Sequence, residues 1–293
     1  LLHGGTSLLT RWAFVDGEYL PQDRATIPVA DRGLLLGDGI FETVRVKDGK
    51  AEYFREHYDR FCESARAVRI RQPWGMEALE EICAELCVRS GIPDASVRLT
   101  LTRGTWKGTL SDTGDPPRLV ALCAPVDPAE PRLHEKGVAV SIASFPRVHA
   151  IAPGVKATHY LPAILARLEA DEQGCYESLF LDPRGRLLEL STATFFAVRD
   201  GRVLTPPLRL GILAGVTRSA VLRLARGAGI PAREAVLRRD DLGSFEEAFL
   251  TSAVRGVVPV VRLGGHDVGD GRPGPITRRL MELFRSATGR PGG

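Results

Sequence analysis

The sequence predicts an α+β protein built as two mixed α/β domains. Three observations lead there. Short runs rich in β-branched residues and bounded by Asp-Gly turns read as strands, and they are interspersed with segments whose apolar residues recur every three or four positions. The chain has 293 residues, a length that suits two domains of about 100–200 residues each. Apolar character falls at Asp127-Pro128-Ala129-Glu130-Pro131, where two prolines interrupt the pattern. The expected organisation is a smaller N-terminal domain over 1–126, a linker at 127–133 and a larger C-terminal domain over 134–293.

The elements follow in order. WAFVDGEYL carries apolar residues on both sides of Asp16-Gly17, the signature of a hairpin. Gly37-Asp38-Gly39 precedes IFETVRV, whose Ile40, Thr43 and Val44 favour extended structure, and Asp48-Gly49 turns the chain again. From Glu52 to Val68 the period changes, with Phe54, Tyr58, Phe61 and Ala65 falling on one helical face. A second helix is expected from Gly75 to Val88, closed by Gly91-Ile92-Pro93. SVRLTLTRG and RLVALCAPV are strands on either side of the loop GTWKGTLSDTGDPP. In the second half VAVSIASF is a strand, and Thr158 to Gln173 is a helix with Leu161, Ile164, Leu165 and Leu168 on one face. CYESLFLD, RGRLLELS and TFFAVRDGRVLT form a run of strands joined at Pro183-Arg184-Gly185 and Asp200-Gly201. Helices are expected at 217–227 and 275–287, and strands at 247–252 and 257–262.

Composition narrows the function. Apolar residues make up 44% and charged residues 26%, ordinary for a folded globular protein. Lys+Arg 39 against Asp+Glu 36 leaves a net charge of only +3, with the two signs interspersed, so no nucleic-acid partner is expected. The five cysteines form no dense framework and no CxxC pair. Cys83 and Cys87 read as core residues on one helical face, and a reducing cytoplasm is the default compartment. With no run of 18 apolar residues and no basic segment opening an apolar one, neither a membrane span nor secretion is expected.

Two segments carry chemistry. Gly211-Ile212-Leu213-Ala214-Gly215-Val216-Thr217-Arg218 opens a helical pattern, and unpaired N–H groups at such a start attract an anion. It lacks the Gly-Lys-Ser/Thr ending of a Walker loop, and a plain glycine turn capped by threonine explains the same letters. Gly154-Val155-Lys156-Ala157-Thr158-His159-Tyr160 places one lysine among apolar and small polar residues, just before a helix. An amine so placed can form an imine when desolvation or neighbouring charge keeps it neutral, and a solvated surface lysine is the simpler alternative. Thr251 and Ser252 end the strand EAFLTS, where hydroxyls can meet a phosphate.

The order and spacing of these segments, from about Phe14 to Leu283, resemble the fold type IV enzymes that use pyridoxal 5'-phosphate (PLP). That group includes branched-chain aminotransferases, D-amino-acid aminotransferases, (R)-selective amine transaminases and 4-amino-4-deoxychorismate lyases. DRGLLLGDGIFETVRV resembles the early glycine-rich segment that reaches the active site, and HYDRFCESA the helix whose arginine contacts the cofactor phosphate, which falls on Arg60. GVKATHYLPAILARLEADEQG resembles the segment carrying the Schiff-base lysine, placing that role on Lys156. LLELSTATFFAV resembles the stretch whose glutamate faces the pyridine nitrogen, here Glu189. LGILAGVTR and FLTSAVRGVVPV resemble the two phosphate-side segments, bringing in Val216, Thr217, Thr251 and Ser252. His57, His149 and His159 read as structural.

The resemblance implies a homodimeric PLP enzyme moving an amino group from an amino acid or primary amine to an α-keto acid. Aminodeoxychorismate lyase chemistry, yielding p-aminobenzoate and pyruvate, is the alternative; a scaffold with little activity is a third reading. Two positions depart from the commoner pattern: Thr194 stands where an asparagine is usual, and Phe41 where a tyrosine is frequent. Neither the arginine nor the histidine that often follows Thr-Arg-Gly in D-amino-acid aminotransferases is present in TRGTWKGTLS. Phe41, Arg103, Trp106 and Lys107 are the expected substrate contacts, with Arg98 a further cation on the same strand as Arg103 but on its opposite face.

Overall fold

The computed structural model describes residues 11–111, 116–127, 129–147 and 154–290. The chain divides into two compact units, Leu1–Val126 with Val155–His159 and Asp127–Gly154 with Tyr160–Gly293.

In the first unit, β1 (Trp12–Val15) and β2 (Glu18–Pro21) form the expected hairpin, with Asp16 and Gly17 at φ 49° and 107°. The short helix α1 (Arg32–Leu36) was not anticipated among the glycines. Asp31 caps it by accepting from the Gly33 amide at 2.8 Å, and Gly37 closes it in the left-handed region. Then come β3 (Gly39–Lys47), β4 (Lys50–Ala51), α2 (Phe54–Ala67), α3 (Met76–Ser90), β5 (Asp94–Thr102) and β6 (Arg118–Pro125). The strands make one antiparallel sheet in the order β2-β1-β6-β5-β3-β4. Helix α3 buries Leu79, Ile82, Cys83, Leu86 and Cys87, a 3-1-3-1 spacing that keeps one stripe against the sheet. Each such leucine or isoleucine contributes about 1.5–3 kcal/mol by leaving water.

The second unit begins with α4 (Glu130–Lys136), so the stretch expected as a linker at 127–133 enters a helix. Pro131 does not stop it because it sits in the first turn, where its missing N–H costs no bond. Next are β7 (Val138–Ile142), α5 (Leu161–Glu172), β8 (Glu177–Leu181), β9 (Leu187–Leu190), β10 (Thr194–Arg199) and β11 (Arg202–Thr205). They are followed by α6 (Val216–Gly227), β12 (Ala232–Glu234), β13 (Glu247–Ser252), β14 (Gly256–Leu263), β15 (His266–Asp267) and α7 (Pro275–Thr288). The mixed sheet runs β12-β11-β10-β13-β14-β7-β8-β9, with β15 on β14. Phe195, Leu250, Val258 and Leu179 lie in its core.

Two features differ from the sequence expectation. Val155–His159, with Lys156, joins the first unit rather than the C-terminal domain, because its backbone pairs with the start of β3. Helix α5 forms where expected, but it packs through Ala166 and Ala170, both fully buried. Its leucine-rich face, Leu161, Ile164, Leu165 and Leu168, is exposed. His149 lies outside the described residues.

Candidate active site

In the first unit the lysine segment behaves as an added strand on β3. The Phe41 amide donates to the Lys156 carbonyl (2.8 Å), and the Thr158 amide donates to the Gly39 carbonyl (3.0 Å). The Thr158 hydroxyl donates to the Gly37 carbonyl at 2.7 Å. Gly39 permits this approach: a Cβ there would stand 2.9 Å from the Leu101 carbonyl oxygen and 3.3 Å from Thr158. Lys156 Nζ consequently lies 4.5 Å from the centroid of the buried Phe41 ring. The Arg98 guanidinium carbon is 3.5 Å from the same centroid, and Arg98 Nε donates to Thr100 Oγ1. Phe41 pairs with Thr100 across the β3–β5 ladder, so pleating brings Arg98 and Thr100 to the Phe41 face. Arg98 was only a secondary candidate in the sequence; the structure places it over the same ring that Lys156 Nζ approaches.

Arg60, on α2, points its fork at Glu42, the residue after Phe41. Arg60 Nε and Nη2 lie 2.7 and 2.8 Å from the two Glu42 oxygens, and His57 Nδ1 is 2.8 Å from Oε2. Glu42 is almost wholly buried. Burial opposes its ionisation, but the Arg60 charge and the hydrogen bonds from His57 and Arg60 prevail and hold the carboxyl well below its usual range. His57 thus helps fix the Glu42 carboxylate.

The other expected substrate contacts are otherwise engaged. Arg103 makes a two-point contact with Asp38 (2.8 and 3.0 Å) and donates to the carbonyls of Arg69 (2.7 Å) and Val68 (2.8 Å). Arg32 joins Asp38 at 2.7 Å. Burial disfavours the Asp38 anion, yet the hydrogen bonds from Arg103 and Arg32 lower its pKa. Arg103 thereby ties loops together, with all three of its side-chain nitrogens hydrogen-bonded within the first unit. Trp106 donates from its ring nitrogen to the Thr109 carbonyl and is exposed, as is Lys107.

In the second unit Glu189 sits on β9, buried, with Oε2 accepting from the Leu213 amide at 3.0 Å and Oε1 paired with Arg147. Nothing in the sequence flagged Arg147, since it has no periodic setting and its partner is distant in the chain. The Leu213 contact fixes the glycine-rich segment that leads into α6. Gly215 precedes α6 in extended conformation without a side-chain cap, so the first-turn amides of Val216 and Thr217 have no side-chain acceptor from that position. A Cβ on Gly215 would stand 2.8 Å from Thr194 Oγ1. Thr194 pairs with Thr251 across β10 and β13, and α6 packs on β13. The Thr251 hydroxyl is buried with no hydrogen-bond partner among the described residues. Such an orphan costs free energy unless an acceptor or donor arrives. Ser252 Oγ accepts from the Arg255 amide at 3.4 Å. The second unit therefore groups Val216, Thr217, Thr194 and Thr251, with Glu189 linked to them through Leu213.

Compared with known proteins, residues 39–263 match the family described as amino-transferase class IV. A putative branched-chain-amino-acid aminotransferase of Methanocaldococcus jannaschii is 33% identical over 279 residues, 93% of this chain and 94% of the relative. A D-alanine aminotransferase of Staphylococcus aureus (strain COL) is 31% identical over 276 residues, 92% of this chain and 95% of the relative. The solved branched-chain amino acid aminotransferase of Escherichia coli superposes with a TM-score of 0.89 at 27% identity, covering 97% of this chain and 96% of that one.

Proposed function

The chain belongs to the class IV amino-transferase family, and from that premise we propose how its own residues perform the family's reaction. That reaction is PLP-dependent transfer of an amino group from a donor to an α-keto acid. The residues present fit the cofactor. Thr251 offers a buried hydroxyl with no partner among the described residues, Gly215 keeps the start of α6 open, and Glu189 offers a carboxylate. The Val216 and Thr217 amides, Thr251, Ser252 and Arg60 would hold the phosphate, Glu189 would face the ring nitrogen, and Lys156 would carry the cofactor. When bound, PLP supplies an electrophilic carbon for the amine and a ring that accepts electron density from the donor's Cα.

Lys156 Nζ is the group that takes the proton from the donor's Cα and gives it back. The observation carrying this reading is the placement of Lys156: its backbone is pinned to β3 and its amine rests on the Phe41 ring that Arg98 also covers. An amine and a guanidinium within reach of one aromatic ring suit a substrate with a carboxylate beside its reacting carbon. The apolar Phe41 ring favours a donor with an apolar side chain. The lack of an arginine and histidine after Thr102-Arg103-Gly104 weighs for an L-amino acid over a D-amino acid.

We place the protein in the cytoplasm, where a reducing milieu suits its five free thiols, and assign it a homodimer. The exposed apolar face of α5, with Leu161 64% and Leu168 54% exposed, supports self-association. No helix among the described residues is long and apolar enough to cross a membrane. The test is a half-reaction monitored by cofactor absorbance. L-leucine should convert the bound cofactor to its amino form, and an α-keto acid should restore it. A response to D-alanine alone would overturn the donor assignment, and no response to any amino acid would overturn the proposed roles.

A further inference from the structure

Glu177, the first residue of β8, has no solvent exposure and no part in the roles assigned so far. Its carboxyl reaches across to the turn between β9 and β10. Oε2 accepts from the Ser191 hydroxyl, from the Ser191 amide (3.2 Å) and from the Ser178 amide (3.1 Å), while Oε1 accepts from the Thr192 hydroxyl (2.5 Å). The Ser191 amide also donates to the Ser178 carbonyl at 3.0 Å, and the Leu190 amide to the Ala193 carbonyl at 2.8 Å. Four donors thus converge on one buried acid, all from its own strand or from this turn.

The turn matters because of what lies at its two ends. Two residues before Ser191 is Glu189, whose oxygens meet Leu213 and Arg147. Two residues after Thr192 is Thr194, which opens β10, touches the place where a Gly215 Cβ would be and pairs with Thr251. A carboxyl that clamps residues 191 and 192 therefore sets the spacing between Glu189 and the start of α6. Placing an acid in the interior is costly unless its acceptor sites are filled, and these four donors offset that cost.

We propose that Glu177 is a positioning residue for the cofactor, acting through the Ser191-Thr192 turn to hold Glu189 and the Thr194–Gly215 contact in register. The inference rests on Glu189 facing the ring nitrogen and on the α6 start receiving the phosphate. It predicts that Glu177→Gln, which keeps the volume but puts an amide donor where donors already converge, weakens both contacts at once. PLP affinity should fall on the order of tenfold, the scale on which removing an outer partner of a directly binding group acts. The pH midpoint of the bound cofactor's absorbance should move in the same direction as in Glu189→Gln, by less.

The experiment titrates PLP into the unloaded wild type, Glu177→Gln, Thr192→Val and Glu189→Gln, and records the affinity, the pH midpoint and the melting temperature of the unloaded protein. Thr192→Val removes one donor while leaving the buried acid in place, so it carries the test if Glu177→Gln does not fold; its affinity should fall by a smaller factor. A lower melting temperature with unchanged affinity and midpoint, in whichever of the two variants folds, would overturn the proposal and leave Glu177 a merely structural acid. A midpoint unmoved in Glu189→Gln itself would overturn the assignment of Glu189, and this inference with it.

Discussion

Replacing Glu42 by glutamine tests the buried network that orients Arg60. The substitution is nearly isosteric, but it removes the negative charge facing Arg60 and His57 and turns one acceptor into a donor. Three contacts of 2.7–2.8 Å are affected, in a setting where Glu42 is 1% exposed. Breaking one partner out of a buried pair costs about 3–5 kcal/mol, and the amide oxygen left behind puts the expected loss near the lower figure, roughly 6–12 °C in Tm. The effect also has a pH signature. The folded pKa of Glu42 lies below its ordinary value of 4.5, so its ionisation stabilises the fold fully above that value. The contribution is lost as pH falls below 4.5 toward the lower folded value. The gap in Tm between wild type and Glu42→Gln should therefore be full at pH 7 and narrow on acidification. Thermal melts from pH 7 down to the acid limit of solubility provide the assay. A gap that is absent at pH 7, or that stays constant as pH falls through 4.5, would refute the reasoning.

Other substitutions separate the remaining roles. Thr251→Val removes a hydroxyl that has no partner among the described residues, so the unloaded protein should be as stable as wild type or slightly more so; PLP affinity should drop about fivefold, the worth of one hydrogen bond. A destabilised unloaded protein would show that the hydroxyl already has a partner. Arg98→Met should keep the apolar contact with Phe41 yet raise KM for the α-keto acid at least about tenfold, as expected for a lost charge-assisted bond to a carboxylate; an unchanged KM would remove Arg98 from the substrate side. The proposed homodimer predicts that wild type sediments as a dimer and that Leu165→Glu, on the exposed face of α5, shifts it to monomer without unfolding the chain; a monomeric wild type would overturn the dimer, and a variant still dimeric would place the interface elsewhere.

What the sequence conveyed depended on how local the physics was. The Asp16-Gly17 hairpin, β13 and α6 fell close to expectation because turn chemistry and apolar period are written in neighbouring residues. Periodicity also grouped Leu161, Ile164, Leu165 and Leu168 on one face of α5, but it carries no information on whether that face turns inward, and it does not. The position of Lys156 on β3 depends on backbone pairing between segments over a hundred residues apart, which no local pattern encodes. Cations were the least legible. Arg103 in a Thr-Arg-Gly loop reads the same whether it binds a substrate or Asp38, and Arg147 gave no sign of its pairing with Glu189. Glu177 was hidden for a similar reason: three of its four donors come from a turn fourteen and fifteen residues later.

Reduction of the loaded enzyme with borohydride, followed by peptide mapping, addresses the central assignment most directly. The cofactor should become fixed to a single peptide, on Lys156, and Lys156→Ala should bind PLP without becoming labelled and without turning over donor. Label recovered on any other lysine, or turnover surviving in Lys156→Ala, would contradict the account.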